Sequence, residues 1–146
     1  MKTMYIRQLS VFVENKSGRL ADIAETIAKA GIDIRALSIA DTTDFGILRL
    51  VVDRPLDAEK ALRKAGLTVS LTNVIAVGVP DRPGGFASTM KMLASEGIGV
   101  EYMYAFISKT PDRAHLIMRV NDNEKAIKTL SENGCEILDE NSICNV

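Results

Sequence analysis

The chain has 146 residues, 47% of them hydrophobic and 25% charged, with a formal net charge of −1. This composition supplies a real core and excludes a disordered chain. Near-neutral charge leaves no electrostatic footprint for nucleic acid or an anionic membrane, and no segment approaches the roughly 20 apolar residues that span a bilayer.

Residues 5–13, YIRQLSVFV, are rich in β-branched and aromatic types and are predicted to form a strand. The opening MKTMYIRQLSVFVEN has neither an apolar h-region nor a small-residue cleavage site, so the expected location is the cytoplasm. After the polar loop NKSGR, the apolar positions Leu20, Ile23, Ala24, Ile27 and Ala28 mark one face of a helix. Ala30-Gly31 ends that helix. Ile32 to Ala40 reads as a strand, DTTDFG as a turn, and residues 46–52, GILRLVV, as a third strand. Pro55 suits a first helical turn, where a missing N–H costs nothing. The helix DAEKALRKA follows, Gly66 stops it, and LTVSL is a fourth strand.

The same order then recurs. VIAVGV, Val74 to Val79, is a strand, PDRPGG a loop, and Phe86, Thr89, Met90, Leu93 and Ala94 take the helical spacing seen from Leu20 to Ala28. Strands are predicted near Val100–Ser108 and Ala114–Val120. A helix with EKAIKTL stands beside EKALRKA of the first half, Gly134 stops it, and CEIL is the last strand. Gly18 matches Gly84 and Gly31 matches Gly97, both 66 residues apart, and the repeat drifts after the second strand, where loop lengths differ. The predicted domains are 1–72 and 73–146, joined almost directly from Leu71 to Val74. Each is a β-α-β-β-α-β unit, an α+β fold whose antiparallel sheet carries its helices on one face. A unit of about 70 residues is small for a lone core, which gives the duplication a purely structural reason.

The doubled loop lies between a strand end and a helix start, where the first N–H groups lack helical partners and the helix dipole favours an anion. Glycine at 18 and at 84–85 lets a ligand approach the backbone. Asn15 and Asp81 stand at matched positions, each with a side-chain oxygen able to accept from an ammonium group. A carboxylate plus an amine is the shape of a free α-amino acid. Asn, Ser and Asp are equally ordinary helix caps.

The arrangement strand-[N/D]-x-x-G-x-[L/F]-helix-Gly-Ile-strand resembles the ACT domain, twice over, at roughly 3–72 and 73–143. The resemblance implies two ferredoxin-like ACT units packed side by side, a non-catalytic regulatory role, and a free amino acid bound at the seam between units. It implies ligand contacts from Asn15, Ser17, Gly18, Arg19 and Leu20 in one loop and from Asp81, Pro83, Gly84, Gly85 and Phe86 in the other. The facing strands it implies are Ala36–Ala40, with Ile39, and Tyr102–Phe106, with Met103, Tyr104 and Phe106. Gly85 replaces Arg19 and Phe86 replaces Leu20, so the two pockets are expected to differ.

Other chemistry finds little support. His115 stands alone as a strand-face residue, and no Ser-His-Asp or Cys-His arrangement is visible. Cys135 and Cys144 are too few to staple the fold or to make a metal site. No GxGxxG follows a strand and no GxxxxGK[ST] occurs, so no cofactor is expected. The plan also hosts RNA binders, but ILRLVV and LIMRV lack base-stacking aromatics, and metal carriers, but CxxC is absent. The expected partners are a free amino acid, a second copy in a homodimer, and a metabolic enzyme; the rival to ligand sensing is assembly with such an enzyme through edge strands alone. The tail DENSICNV is expected either to fray or to pair with a partner's edge.

Overall fold

Alternation in the first strand sets the first sheet. Along Ile6–Glu14 (β1), Leu9, Val11 and Val13 are buried, while Phe12 and Glu14 between and beyond them are exposed. The computed structural model describes residues 4–41, 44–106 and 108–145. Arg19–Lys29 (α1), Ile34–Asp41 (β2), Phe45–Val52 (β3) and Pro55–Lys64 (α2) follow, with Pro55 in the first turn of α2. Then come Val69–Pro80 (β4), Gly85–Ser95 (α3), Val100–Phe106 (β5), Arg113–Val120 (β6), Asn123–Glu132 (α4) and Glu136–Leu138 (β7). The turn expected over DTTDFG lies partly outside the described residues.

The chain separates into two units, Arg7–Thr72 and Asn73–Val146, the latter joined by the residues up to Ile6. In the N-terminal unit β3 lies between β2 and β1, antiparallel to both, with Leu48 opposite both Val11 and Ile39. Phe12 N donates to Thr68 O (3.0 Å), which holds the chain entering β4 beside β1. The core joins Leu9, Val11 and Val13 of β1 to Leu48, Leu50 and Val52 of β3. Ile23 and Ile27 of α1 and Ala58 and Leu62 of α2 cover them, so both helices occupy one face.

The C-terminal unit is built the same way, in the order β7-β4-β6-β5, all antiparallel. Ile75, Val77 and Val79 of β4 and Leu116, Met118 and Val120 of β6 meet Leu93 of α3 and Ala126 and Leu130 of α4. Both units are therefore βαββαβ, α+β as expected.

Four details depart from the sequence reading. LTVSL and VIAVGV are one continuous strand, β4, which runs through Leu71-Thr72-Asn73 without a break. Of the face predicted for α1, only Ile23 and Ile27 are buried, worth about 2 kcal/mol each; Leu20, Ala24 and Ala28 are exposed, because the helix presents a narrow i, i+4 ridge. In α3 the buried side chains are likewise Thr89 and Leu93, with Phe86 exposed. Finally, the tail is folded as far as Asn145. Ser142 N donates to Asp139 Oδ1 (2.7 Å), Asp139 N donates to Ser142 Oγ (2.8 Å), and a 3-10 turn, Ser142–Asn145, buries Ile143.

The repeat is more regular in space than in sequence. Its offset is 66 residues from β1 through β2, as with Gly18 and Gly84, and 68 from β3 onward, as with Pro55 and Asn123 at the starts of α2 and α4. Ala58 thus corresponds to Ala126 and Leu62 to Leu130, all fully buried. The likeness of EKALRKA to EKAIKTL runs three residues out of that register.

Candidate functional site

The two loops share one backbone geometry. Gly18 caps α1 with φ 87° and ψ −11°, and Gly84 caps α3 with φ 88° and ψ −14°, both left-handed. An added Cβ at either would meet nothing within 4 Å, so the dihedral, not crowding, calls for glycine. Neither Asn15, Ser17 nor Asp81 acts as a helix cap, because no side chain caps α1 or α3. Arg19 N donates to Lys16 O and Gly85 N to Arg82 O (3.2 and 3.0 Å). Among the described residues, the N–H groups of Leu20, Ala21, Phe86 and Ala87 receive no hydrogen-bond acceptor.

The loops differ in their side chains. In the N-terminal loop Glu14 accepts from Lys16 (3.1 Å) and faces Arg19 (3.7 Å). The Lys16 hydrogen bond and charge, then the Arg19 charge, hold the Glu14 carboxyl below its ordinary range. In the C-terminal loop Gly85 is buried against β4: a Cβ there would lie 2.1 Å from Pro80 O. Gly85 is therefore a packing residue, while Asp81, Pro83 and Gly84 are exposed. Leu20 and Phe86 correspond and are both about half-exposed.

The strands implied as facing walls are edge strands: β2 pairs with β3 and β5 with β6. Ile39 lies opposite Leu48 on the helix-bearing face and remains 48% exposed. Met103 lies opposite Met118 and packs into the core, whereas Tyr104 lies opposite Ile117 on the other face. Met103 and Tyr104 thus present to different sides of the sheet, as strand alternation requires.

A polar network absent from the sequence reading spans the helix-free face of the C-terminal unit. Register places Glu136 beside Gly78, Gly78 beside His115, and His115 beside Phe106. Because Gly78 has no side chain, Glu136 crosses it: Oε1 lies 2.9 Å from His115 Nε2, and a Cβ on Gly78 would sit 2.6 Å from that oxygen. Ser108 Oγ lies 2.7 Å from His115 Nδ1, and Arg113 pairs with Glu136 Oε2 at 2.8 Å. A carboxylate only accepts, so Nε2 donates to Glu136, while Nδ1 and the Ser108 hydroxyl share the second hydrogen bond. Burial pushes the Glu136 carboxyl up, but the hydrogen bonds from His115 and Arg113 and the Arg113 charge outweigh it and hold the group low.

His115 is a strand-face residue as expected, but it does not stand alone: Ser108 and Glu136 are its partners. The imidazole is fully buried, with both nitrogens engaged and the Phe106 ring 5.4 Å away, so no position is open for a reacting group. It braces the sheet. Alternation between Ala114 and Leu116 could have put His115 on the helix-free face, but no local signal names partners 7 and 21 residues away.

Each unit also carries a cavity at the same place, where the end of the first strand meets the turn after the second helix. In the N-terminal unit Phe12, Glu14, Arg19, Phe45 and Ala65–Thr68 enclose about 450 Å³. In the C-terminal unit about 270 Å³ is lined by Gly78, Pro80, Arg82, Gly85, Arg113 and Glu136, among others. Cys135 lines it too; burial raises its thiol pKa, opposed by a hydrogen bond with Thr89. Among the described residues no group of metal-ligating side chains is assembled, and no helix is long and apolar enough to cross a membrane.

Comparison with known proteins gives a consistent result. The model of the ACT domain pair matches residues 4–146. Protein BT0572 from Bacteroides thetaiotaomicron is similar, with 38% identity, a TM-score of 0.92 and 98% of each chain covered. The ligand-free regulatory subunit of aspartate kinase from Thermus thermophilus shares the fold at 17% identity and TM-score 0.66, over 88% of this chain and 92% of that one. Its counterpart from Thermus flavus does so at 17% and 0.61, over 86% and 90%. No curated protein sequence matches the chain.

Proposed function

Because this chain belongs to the family of ACT domain pairs, we propose that it is a non-catalytic regulatory protein of the cytoplasm that binds a free L-amino acid at an ACT–ACT interface. One observation carries this reading: two helices begin at left-handed glycines with no side-chain cap, leaving first-turn N–H groups unmatched in both loops. Such groups suit a carboxylate. The oxygens of Asn15 or Asp81 supply acceptors for the ammonium, and the half-exposed Leu20 and Phe86 contact the ligand's side chain. Binding at a place where units associate biases that association, which is how occupancy reaches a homodimer or a partner enzyme.

The test is a thermal-shift screen of the chain against the twenty amino acids at millimolar concentration. Native-state binding raises the melting temperature by mass action, so at least one amino acid is expected to do so. The reading is lost if none does and calorimetry shows no heat.

A second reading has its own support. Leu37 and Ile39 on the edge strand β2 are 57% and 48% exposed, a surface suited to strand addition by a metabolic enzyme. The fold shared with a regulatory subunit of aspartate kinase fits an assembly role equally. Stable co-purification with an enzyme without amino acid, together with a silent thermal screen, decides for it.

A further inference from the structure

The two corresponding cavities have opposite chemistry. Phe12 corresponds to Gly78 at the offset of 66, and Phe45, opposite Glu14, corresponds to Arg113, opposite Pro80. Where the C-terminal cavity has an absent side chain and an arginine already paired with Glu136, the N-terminal one has two phenyl rings. These rings are 56% and 53% exposed although each lines a concavity, a costly display of apolar surface unless something covers it. At the rim stand one carboxylate and one guanidinium, Glu14 and Arg19. Their separation of 3.7 Å is loose, and Glu14 leans instead on Lys16 at 3.1 Å, so the Arg19 fork keeps donors for another acceptor. The volume, about 450 Å³, falls within the roughly 300–1,000 Å³ of small-molecule sites, whereas the C-terminal cavity, about 270 Å³, falls short.

We infer that the N-terminal cavity is itself a binding site, taking a free aromatic L-α-amino acid. Arg19 holds the carboxylate as a two-pronged donor, Glu14 accepts from the ammonium, and the ligand's ring lies against Phe12 and Phe45. Glu14, held low by its basic neighbours, stays ionised throughout the neutral range. Charge complementarity selects a zwitterion, and the phenyl walls select its side chain. This goes beyond the interface reading and rests only on its ligand class, an amino acid: it is a second site, within one unit, with its own donor and acceptor.

The experiment uses the whole chain. It contains no tryptophan, so binding of L-tryptophan is read from the ligand's own fluorescence. L-Phenylalanine, L-tyrosine and L-tryptophan are titrated by calorimetry against aspartate, lysine and serine. The aromatic three are expected to bind and the polar three to show at least tenfold weaker affinity. Phe12→Ala and Phe45→Ala are each expected to weaken the aromatic ligands about tenfold, and Phe12→Leu to restore part of the loss. Phenylalaninamide and 3-phenylpropionate, lacking one charge each, are expected to bind more weakly than phenylalanine, the former with no further loss in Arg19→Ala. Melting of each unliganded variant close to the parent shows that it still folds, as expected for half-exposed side chains. Selection of a polar amino acid, or aromatic binding unchanged by both phenylalanine substitutions, overturns the inference while leaving the amino-acid-binding reading standing. Silence from these six and from all twenty in the thermal-shift screen overturns both.

Discussion

The two units share their β-α-β-β-α-β order and helix-capping geometry, yet they invested the same corner differently. The N-terminal unit has Arg19 at the first position of its helix and Phe12 on its first strand; the C-terminal unit has glycine at both. Those two glycines let backbone and carboxylate close in. Pro80 O presses on α3 through Gly85, and Glu136 reaches His115 across Gly78. Where side chains remain, the corner stays open and aromatic. The backbone is shared, while a few side chains make one corner a braced joint with a smaller cavity and leave its counterpart with a larger one.

The sharpest way to break this comparison is Gly85→Ala. A Cβ 2.1 Å from a backbone oxygen cannot be relieved by a rotamer, so the variant is expected to lose about 3 kcal/mol in urea unfolding. Arg19→Ala, at the corresponding position, is expected to change stability by no more than about 0.5 kcal/mol. Equal losses at both positions would mean that the two corners are not built differently.

A smaller effect is expected for Glu136→Gln, about 2 kcal/mol at neutral pH, because a charged hydrogen-bonding partner of buried His115 is lost. Its pH dependence carries the diagnosis. The Glu136 carboxyl is lower in the folded chain than its ordinary value of 4.5, so its contribution is complete above that value and disappears as pH falls through the lower folded one. The melting-temperature gap between the parent and Glu136→Gln is therefore expected to be constant from pH 7 to about 5 and to close below 4.5. A gap that fails to shrink as the pH falls below 4.5 would show that the carboxylate's charge is not what braces the sheet.

The smallest effect tests what the corners share. Gly18→Ala and Gly84→Ala each force a side chain into the left-handed region with open space around it, and each is expected to cost about 1 kcal/mol. The prediction is equality between the two; a difference above about 1 kcal/mol in paired unfolding curves would show that one loop carries a constraint the other lacks.

Much of the architecture was legible because local rules carry it. Gly31-Ile32 and Gly97-Ile98 close α1 and α3 with the same hydrogen bonds, Ile32 N to Ile27 O and Ile98 N to Leu93 O. The repeat after β2 was less legible, because the offset changes by two residues and EKALRKA offers a false match to EKAIKTL. The span of β4 was hidden because pattern alone does not distinguish one long strand from two short ones. Of the candidate site, both loops and their glycines were visible; the failure of Asn15, Ser17 and Asp81 to cap was not, since capping depends on side-chain rotamers that sequence leaves free.

By itself, the sequence determined the element order, the duplication, the turn glycines and the family likeness, because each depends on residues close together in the chain. Only the tertiary structure decided that Ser108, His115, Glu136 and Arg113 form one network, and that Phe12 and Phe45 line one cavity. Those meetings depend on strand register, and register is set by the packing of whole sheet faces rather than by any short stretch of chain.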